Sequence, residues 1–453
     1  MSHYQPRWTL EVKDFGPIQE ANIEIAPMLL FVGDNSAGKS YLMSLLWGLL
    51  SFQRELFPNE PPLNNENYIF CENWLREIEP TLTNDANIIV PKKVIKHSIL
   101  WLNNLLTEKK QLLVEKIFSK KDLSIGHLAI NFDSCLDSLK VKIGNIQQSE
   151  DKSFRRESHC LFDNNMIEIK TAFNHNHFNL LKFINLTIIQ QVTTTTHPYH
   201  YLYLPASRTS FMQTYKVLMT GLLDSFSLSI DSQKTTLPLP LVRFLQALVN
   251  AEMIEAGKHI QITDKIEKEI LKGRIKQNHN SIAPDYYFQP DRTSEKLPFH
   301  LTSSLVSELA PIIIFLKSLD KFALKRFIIE EPEAHLHLNM QRLLVRYLVQ
   351  LVNNGLPIWM TTHSDTVFQQ INNFIALSQH PNKDALCEKL GYTEADLLSP
   401  EDVRAYQFQV TPEGTTIKSL PIKEFGFSAP TFTDAIYDLS KEAFTIQDDE
   451  DEG

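Results

Sequence analysis

The octet Gly33-Asp34-Asn35-Ser36-Ala37-Gly38-Lys39-Ser40 satisfies G-x-x-x-x-G-K-[ST] at every fixed position. It follows the apolar run Leu29 to Val32 and precedes YLMSLLWGLLSF, apolar on nearly every face. A buried strand, a tight loop and a core helix are therefore predicted in that order, the context in which this octet binds nucleotide phosphates. Phosphate oxygens need several donors at close range, so the backbone must wrap around them and offer its N–H groups. Glycines permit the wrapping, and the helix N-terminus adds the positive end of its dipole. Only 14 Gly occur in 453 residues, so two of them in register are hard to attribute to accident. Gly33, Asp34, Asn35, Ser36, Ala37 and Gly38 are expected to form the cradle and Lys39 to reach the β- and γ-phosphates. Ser40 is expected to ligate Mg²⁺, which makes ATP and Mg²⁺ the anticipated cofactors.

Composition narrows the class. A chain that is 43% hydrophobic and 22% charged is neither disordered nor of low complexity. A net charge of −10 does not indicate DNA binding by simple electrostatics, although a local basic groove stays open. Cys71, Cys135, Cys160 and Cys387 show no C-x-x-C spacing, which reads as an intracellular chain without a disulfide framework or zinc site. No apolar run approaches the ~20 residues of a membrane span, and the N-terminus lacks a signal-peptide core. A cytoplasmic location is expected.

Along the chain, WTLEVKDF and ANIEIAP alternate as two antiparallel strands turned by Phe15-Gly16-Pro17. Four segments are expected: 1–54 with the phosphate loop, 55–185 as an inserted helix-rich lobe outside the first sheet, 186–440 as the second half of the nucleotide domain, and 441–453 as a mobile acidic tail. LTIIQQV and YHYLYLP read as strands separated by the run Thr193 to Thr196 and Pro198. Residues 205–300 read as mostly helical and polar. Within them DKIEKEILKGRIKQ reads as a solvated helix with Glu267 and Glu269 as charge partners. Residues 301–380 read as helix, strand, helix, strand.

Three further pieces carry chemistry. Lys325-Arg326-Phe327-Ile328-Ile329-Glu330-Glu331-Pro332-Glu333 is an apolar strand ending in adjacent acids. Successive strand side chains face opposite ways, so the acids take different jobs. Glu330 is assigned to Mg²⁺ through a water, and Glu331 to polarising the attacking water. Trp359-Met360-Thr361-Thr362-His363-Ser364 is a second such strand; His363 follows Glu331 by 32 residues, room for one helix and a return strand, and is expected at the γ-phosphate or the attacking water. Leu301-Thr302-Ser303-Ser304 precedes the apolar helix LVSELAPIIIFLK. Alone it reads as a helix cap. Beside the other pieces it reads as a second anion site, too distant in sequence to extend the first loop and so expected to cover the phosphate held by another copy.

The order of phosphate loop, Ser-rich signature, E-E-P-E and T-H-S resembles the ABC-type ATPases of the SMC/Rad50 branch. Lys39 and Glu330 lie 291 residues apart, as when a large insertion divides one nucleotide domain. EEPEAHLH and YLPASRTSF resemble ATPases related to the OLD (overcoming-lysogenisation-defect) family. The signature departs from that pattern, LTSS for LSGG, and HLHL stands for HLHP. The resemblance implies an α/β fold with a mixed sheet and a helical inserted lobe. It implies a homo-oligomer, at least a dimer through the nucleotide sites, with Thr302, Ser303 and Ser304 as contacts in trans. By the same carry-over Glu333 to His337 form an interface loop and His363 is a switch histidine. Phe15 is the expected adenine-side aromatic, and Arg208 is expected in a phosphate or interface role.

OLD nucleases continue into a Toprim domain, whereas only 90 residues follow His363 here and, outside the acidic run at 448–452, no D-x-D-like metal pattern is present. In size and layout the chain resembles the stand-alone ATPases of two-gene antiphage systems. The AriA family of PARIS systems, whose partner nuclease is of Toprim type, ranks ahead of the PtuA family of Septu systems, whose partner is of HNH type. What this implies is slow ATP hydrolysis that regulates a separate effector nuclease in answer to a phage-encoded trigger. The alternative from a different class is an SMC/Rad50-like DNA-binding ATPase of repair or chromosome maintenance; residues 55–185 lack the sustained heptads of a long arm.

Overall fold

The computed structural model describes residues 8–81, 87–132, 138–143, 160–163, 166–171, 177–190, 200–228, 237–278, 284–319, 324–423 and 426–428, with helical residues at 440–442 and 445–446. The last acidic residues, Cys135, Thr193 to Thr196 and Pro198 lie outside them.

Continuous apolar strands need cover on both faces, because their side chains alternate. In β3 (Met28–Gly33), Leu29 and Phe31 enter one core while Met28, Leu30 and Val32 enter another. Two later strands, Arg326–Glu330 and Ile358–Thr361, divide in the same way: Ile328 and Trp359 go to the first core, Phe327, Ile329, Ile358 and Met360 to the second. The sheet is thus the middle of three layers. Its strands are β1 (Trp8–Phe15), β2 (Ile18–Glu24), β3, β4 (Ile125–Phe132), β5 (Tyr201–Leu204), β6 (Arg326–Glu330), β7 (Ile358–Thr361), β8 (Val403–Thr411) and β9 (Gly414–Leu420). Their spatial order is β4-β1-β2-β9-β8-β3-β7-β6-β5. The five strands from β8 to β5 run parallel, and β1 pairs antiparallel with both β2 and β4.

On one face lie α1 (Lys39–Ser51) and the long α2 (Lys92–Phe118), whose Trp47 and Trp101 are fully buried. On the other lie α3 (Arg208–Leu228), α4 (Ser304–Lys317), α5 (Leu338–Asn353) and α6 (Asp365–Gln379). The helix, strand, helix, strand succession expected at 301–380 is present as α4, β6, α5, β7. Among the described residues, no helix is long and apolar enough to cross a membrane.

Three expectations change. Part of 55–185 is not outside the first sheet: β4 pairs with β1 from Trp8↔Phe132 to Phe15↔Ile125, and α2 shares the core of α1. The polar residues that suggested a separate lobe lie on the outer face of α2, whose inner face carries Val94, Ile95, Trp101, Leu102, Leu105 and Leu106. LTIIQ is not a strand but the end of the helix His177–Gln190, in which Phe178, Leu181 and Ile184 are buried at helical spacing. DKIEKEILKGRIKQ breaks into a helix ending at Ile266, a π-helical turn Glu267–Leu271 and a strand Gly273–Asn278 that pairs with Asp285–Pro290. Glu267 there is buried and paired with Lys317, not solvated.

Candidate nucleotide site

In a parallel sheet, ligands gather outside the carboxyl ends of the strands. Three such ends stand side by side: β3 ends at Gly33, β7 at Thr361 and β6 at Glu330, with the pairs Thr361↔Phe31 and Glu330↔Thr361 in register. Sequence pieces about 290 residues apart are thereby only two strand spacings, roughly 10 Å, from one another.

The phosphate loop has the backbone its glycines suggest. Gly33 (φ 114°), Ser36 (φ 59°) and Gly38 (φ 91°) are left-handed. A Cβ on Gly33 would sit 2.0 Å from the Phe408 carbonyl oxygen, so β8 can approach only glycine there. The Asp34 N–H donates to that same oxygen at 3.0 Å, and the Asp34 carboxylate accepts from the Val410 N–H at 2.9 Å. The Asp34 N–H and side chain thus anchor the loop to β8, leaving the N–H groups after Asp34 for phosphate. Asn35, Ser36 and Ser40 are exposed, whereas Ala37, Gly38 and Lys39 are buried. The Lys39 ammonium donates to the carbonyls of Gly33 (3.0 Å) and Asp34 (2.6 Å), which leaves a third N–H for a phosphate oxygen. Burial lowers its pKa, and Glu331, Asp34 and Glu330 oppose that shift.

Glu330 and Glu331 separate as strand alternation requires. Glu330 is buried: its Oε1 accepts from the Tyr203 hydroxyl at 2.6 Å and its Oε2 from the Ala206 N–H at 3.1 Å. A carboxylate has about four acceptor positions, so Glu330 keeps lone pairs for a water on Mg²⁺. With the exposed Ser40 hydroxyl it makes an all-oxygen donor set that suits this hard, hydrated cation. Glu331 is half-exposed and extends the ladder by one bond, its N–H donating to the Thr361 carbonyl at 3.1 Å. It then turns at φ 43°, uncommon for a residue with a side chain. Its Oε1 lies 3.7 Å from His363 Nε2.

His363 is held by a residue to which the sequence reading gave another role. Glu333, expected in an interface loop, is buried, and its Oε1 accepts from the Thr362 hydroxyl (2.6 Å) and the His363 N–H (3.0 Å). Burial raises the Glu333 pKa. Leu336 is buried as well, so in the stretch 333–337 His335 and His337 are the exposed members. Burial first, then Lys39, pushes the His363 pKa below its ordinary value, with Glu331 opposing. The imidazole is therefore neutral at pH 7, able to donate from one nitrogen and accept at the other.

The Thr302–Ser304 turn precedes α4. The Thr302 hydroxyl points back into its own turn, donating to the Phe299 carbonyl at 2.9 Å and lying 3.1 Å from Ser307 Oγ. Ser303 is the N-cap residue but makes no side-chain cap bond, and Ser303 and Ser304 are both exposed. The turn thus offers two surface hydroxyls rather than three, and it is not a simple cap.

Two assignments are corrected. Phe15 is fully buried, in contact with Phe118 and the edge of Tyr41, so it offers no face to a base. Arg208 is fully buried too, with all its side-chain donors taken up inside the protein. It binds Glu308 and the carbonyls of Pro205, Glu330 and Glu331. Glu308 and Tyr203 lie in segments the sequence marks out, but it gives neither a role of its own. A lone acid inside LVSELAPIIIFLK was the available signal, since a buried charge needs a partner.

Residues 9–367 match the family model described as the AAA ATPase domain. A comparison with curated proteins gave no match. Similar solved structures include a Smc head bound to the C-winged helix domain of ScpA, 10% identical, covering 93% of this chain and 98% of that one at TM-score 0.39. Another is a Pyrococcus furiosus Smc head with an extended coiled coil bound to the C-terminal domain of ScpA, 9% identical, covering 97% and 100% at TM-score 0.39. A third is the SMC head domain from Thermotoga maritima, 9% identical, covering 92% and 99% at TM-score 0.34.

Proposed function

The chain belongs to the AAA ATPase domain family, and on that footing we propose that two copies close over ATP, hydrolyse it slowly, and use the cycle to hold or release a separate effector nuclease. The juxtaposition of Lys39, Glu331 and His363 carries the hydrolytic part of this reading. Lys39 neutralises charge on the β- and γ-phosphates while the loop N–H groups hold them in line. Glu331 accepts a proton as water attacks the γ-phosphorus, the bond to the β-γ bridging oxygen breaks, and ADP and phosphate leave. Neutral His363, 3.7 Å from Glu331, orients the water or donates to a γ-oxygen. Ser40 and, through a water, Glu330 would hold Mg²⁺, which would supply further charge neutralisation.

Exposed Ser303 and Ser304 support the dimeric part, since hydroxyls at a helix N-terminus suit an anion held by another copy. Leu301 and Leu338, exposed at 65% and 57%, flank the signature turn and the 333–337 loop with apolar surface that a second copy would cover. The effector role rests on the resemblance of EEPEAHLH and YLPASRTSF to ATPases of two-gene antiphage systems. It implies a Toprim-type nuclease ahead of an HNH type, a phage-encoded trigger and a cytoplasmic setting.

Binding and turnover test the hydrolytic part together. Lys39→Ala is expected to abolish ATP binding, and Glu331→Gln to bind ATP and retain it unhydrolysed. Unchanged turnover in Glu331→Gln would remove Glu331 as the base.

A further inference from the structure

Glu308 is an acid in a helix otherwise given to apolar packing, and it is paired with Arg208 at zero exposure on both sides. A buried pair is not by itself a source of stability, because desolvation offsets the attraction. What distinguishes this one is where the rest of the guanidinium goes. Arg208 has five N–H donors, and the structure shows five acceptors for them. Nε donates to the Glu308 carbonyl (3.1 Å), and Nη1 to the carbonyls of Pro205 (3.0 Å) and Glu330. Nη2 donates to the Glu331 carbonyl (3.0 Å) and lies 3.1 Å from Glu308 Oε1. One rigid planar fork therefore grips α4 on one side and the backbone of both Glu330 and Glu331 on the other.

The Glu308 carboxylate is equally committed. Its Oε2 accepts from the N–H and hydroxyl of Thr209, both at 2.8 Å, and the same hydroxyl reaches the Ser304 carbonyl at 3.4 Å. At the far end of α4, Lys317 is fixed to both oxygens of buried Glu267 at 2.9 Å. The helix is thus anchored at its last turn and coupled to the catalytic strand at its first. Glu331 sits where such coupling matters, since a non-glycine residue at φ 43° persists only where its neighbours impose it. Those neighbours are Thr361 on its N–H and Arg208 on its carbonyl.

We propose that Arg208 and Glu308 are positioning residues that carry displacement of the Thr302–Ser304 turn to the backbone of Glu331, so that contact at the turn sets the hydrolysis rate and leaves nucleotide affinity alone. The proposal rests on the hydrolytic reading above. It gives the exposed turn a route to the base within its own chain, so a nucleotide held by one copy regulates cleavage in the other.

The test uses full-length protein and two variants. Glu308→Gln keeps the shape and removes the charge, while Thr209→Val removes one bond to Glu308 and leaves Arg208 paired. For each, ATP affinity, kcat and hydrogen exchange of the peptide spanning 327–336 are measured. Glu308→Gln is expected to keep its Kd within about twofold and to lose kcat by about 10- to 100-fold, the scale of a misplaced catalytic group. Exchange in that peptide should quicken. Thr209→Val should lose kcat several-fold at unchanged Kd, and it decides by the same criteria if Glu308→Gln does not fold. Wild-type kcat with unchanged exchange overturns the proposal, as does a parallel loss of affinity and rate. Absence of hydrolysis in the wild type would instead defeat the reading above, and the exchange arm would then decide whether Arg208 and Glu308 position the Glu331 backbone.

Discussion

His363 shows how a single side chain's surroundings set a testable pH response. Burial and the nearby Lys39 favour its neutral form, and only Glu331 pulls the other way. A depressed pKa means that the proton is gained only at lower pH. The acid limb of kcat/KM, which reports the free protein, is therefore expected to have its midpoint below pH 6.5 where His363 sets it, and to vanish in His363→Gln at a reduced plateau. A midpoint above 6.5 in the wild type would contradict the assigned surroundings. The placement of Lys39, Glu331 and His363 beside adjoining strand ends could be read from residue type and order, because strand alternation and motif spacing are local rules. Tyr203, Glu308 and Glu333 could not be read this way. Each acts through a partner 29 to 127 residues away in sequence, and no local pattern encodes such a pairing.

The legible elements are those with an unambiguous period. β1, β2, β3, α1 and the run α4-β6-α5-β7 alternate or run apolar between clear turn residues, and each stands where the sequence put it. LTIIQ failed because a short apolar run fits strand and helix equally, and the deciding residues, Phe178 and Leu181, precede it. The fragment at 264–277 failed because its charges suggested solvent, whereas Glu267 is neutralised inside by a lysine from α4. The link between α1 and α2 carries its own prediction. A Cβ on Gly48 would lie 2.0 Å from Ile117 Cδ1, so this glycine is where the two helices touch. Gly48→Leu is expected to lower the unfolding free energy by about 1–3 kcal/mol through overpacking, read by urea denaturation. No change would mean that α2 is a detachable lobe after all.

At the scale of the whole molecule, the fold gathers the phosphate loop and the strands ending at Glu330 and Thr361 onto one sheet and leaves Ser303 and Ser304 on the surface. The sequence carried the α/β class and the order of the motifs. It concealed that Ile125–Phe132 lies at the edge of the main sheet, since strand pairing across 110 to 124 residues leaves no local trace. The central claim is that each site is completed by a sister copy, and a symmetric dimer offers a direct test of it. Lys39→Ala loses its own phosphate loop but keeps a good signature turn, and Ser304→Arg does the reverse. Each alone should be inactive. Mixed in equal amounts and allowed to exchange, half the dimers are mixed and each of these has one intact composite site, so ATPase activity should return to at most about a quarter of the wild-type level, lowered further by any coupling between turn and base. A mixture as inactive as its components, or full turnover by Ser304→Arg alone, would contradict the account.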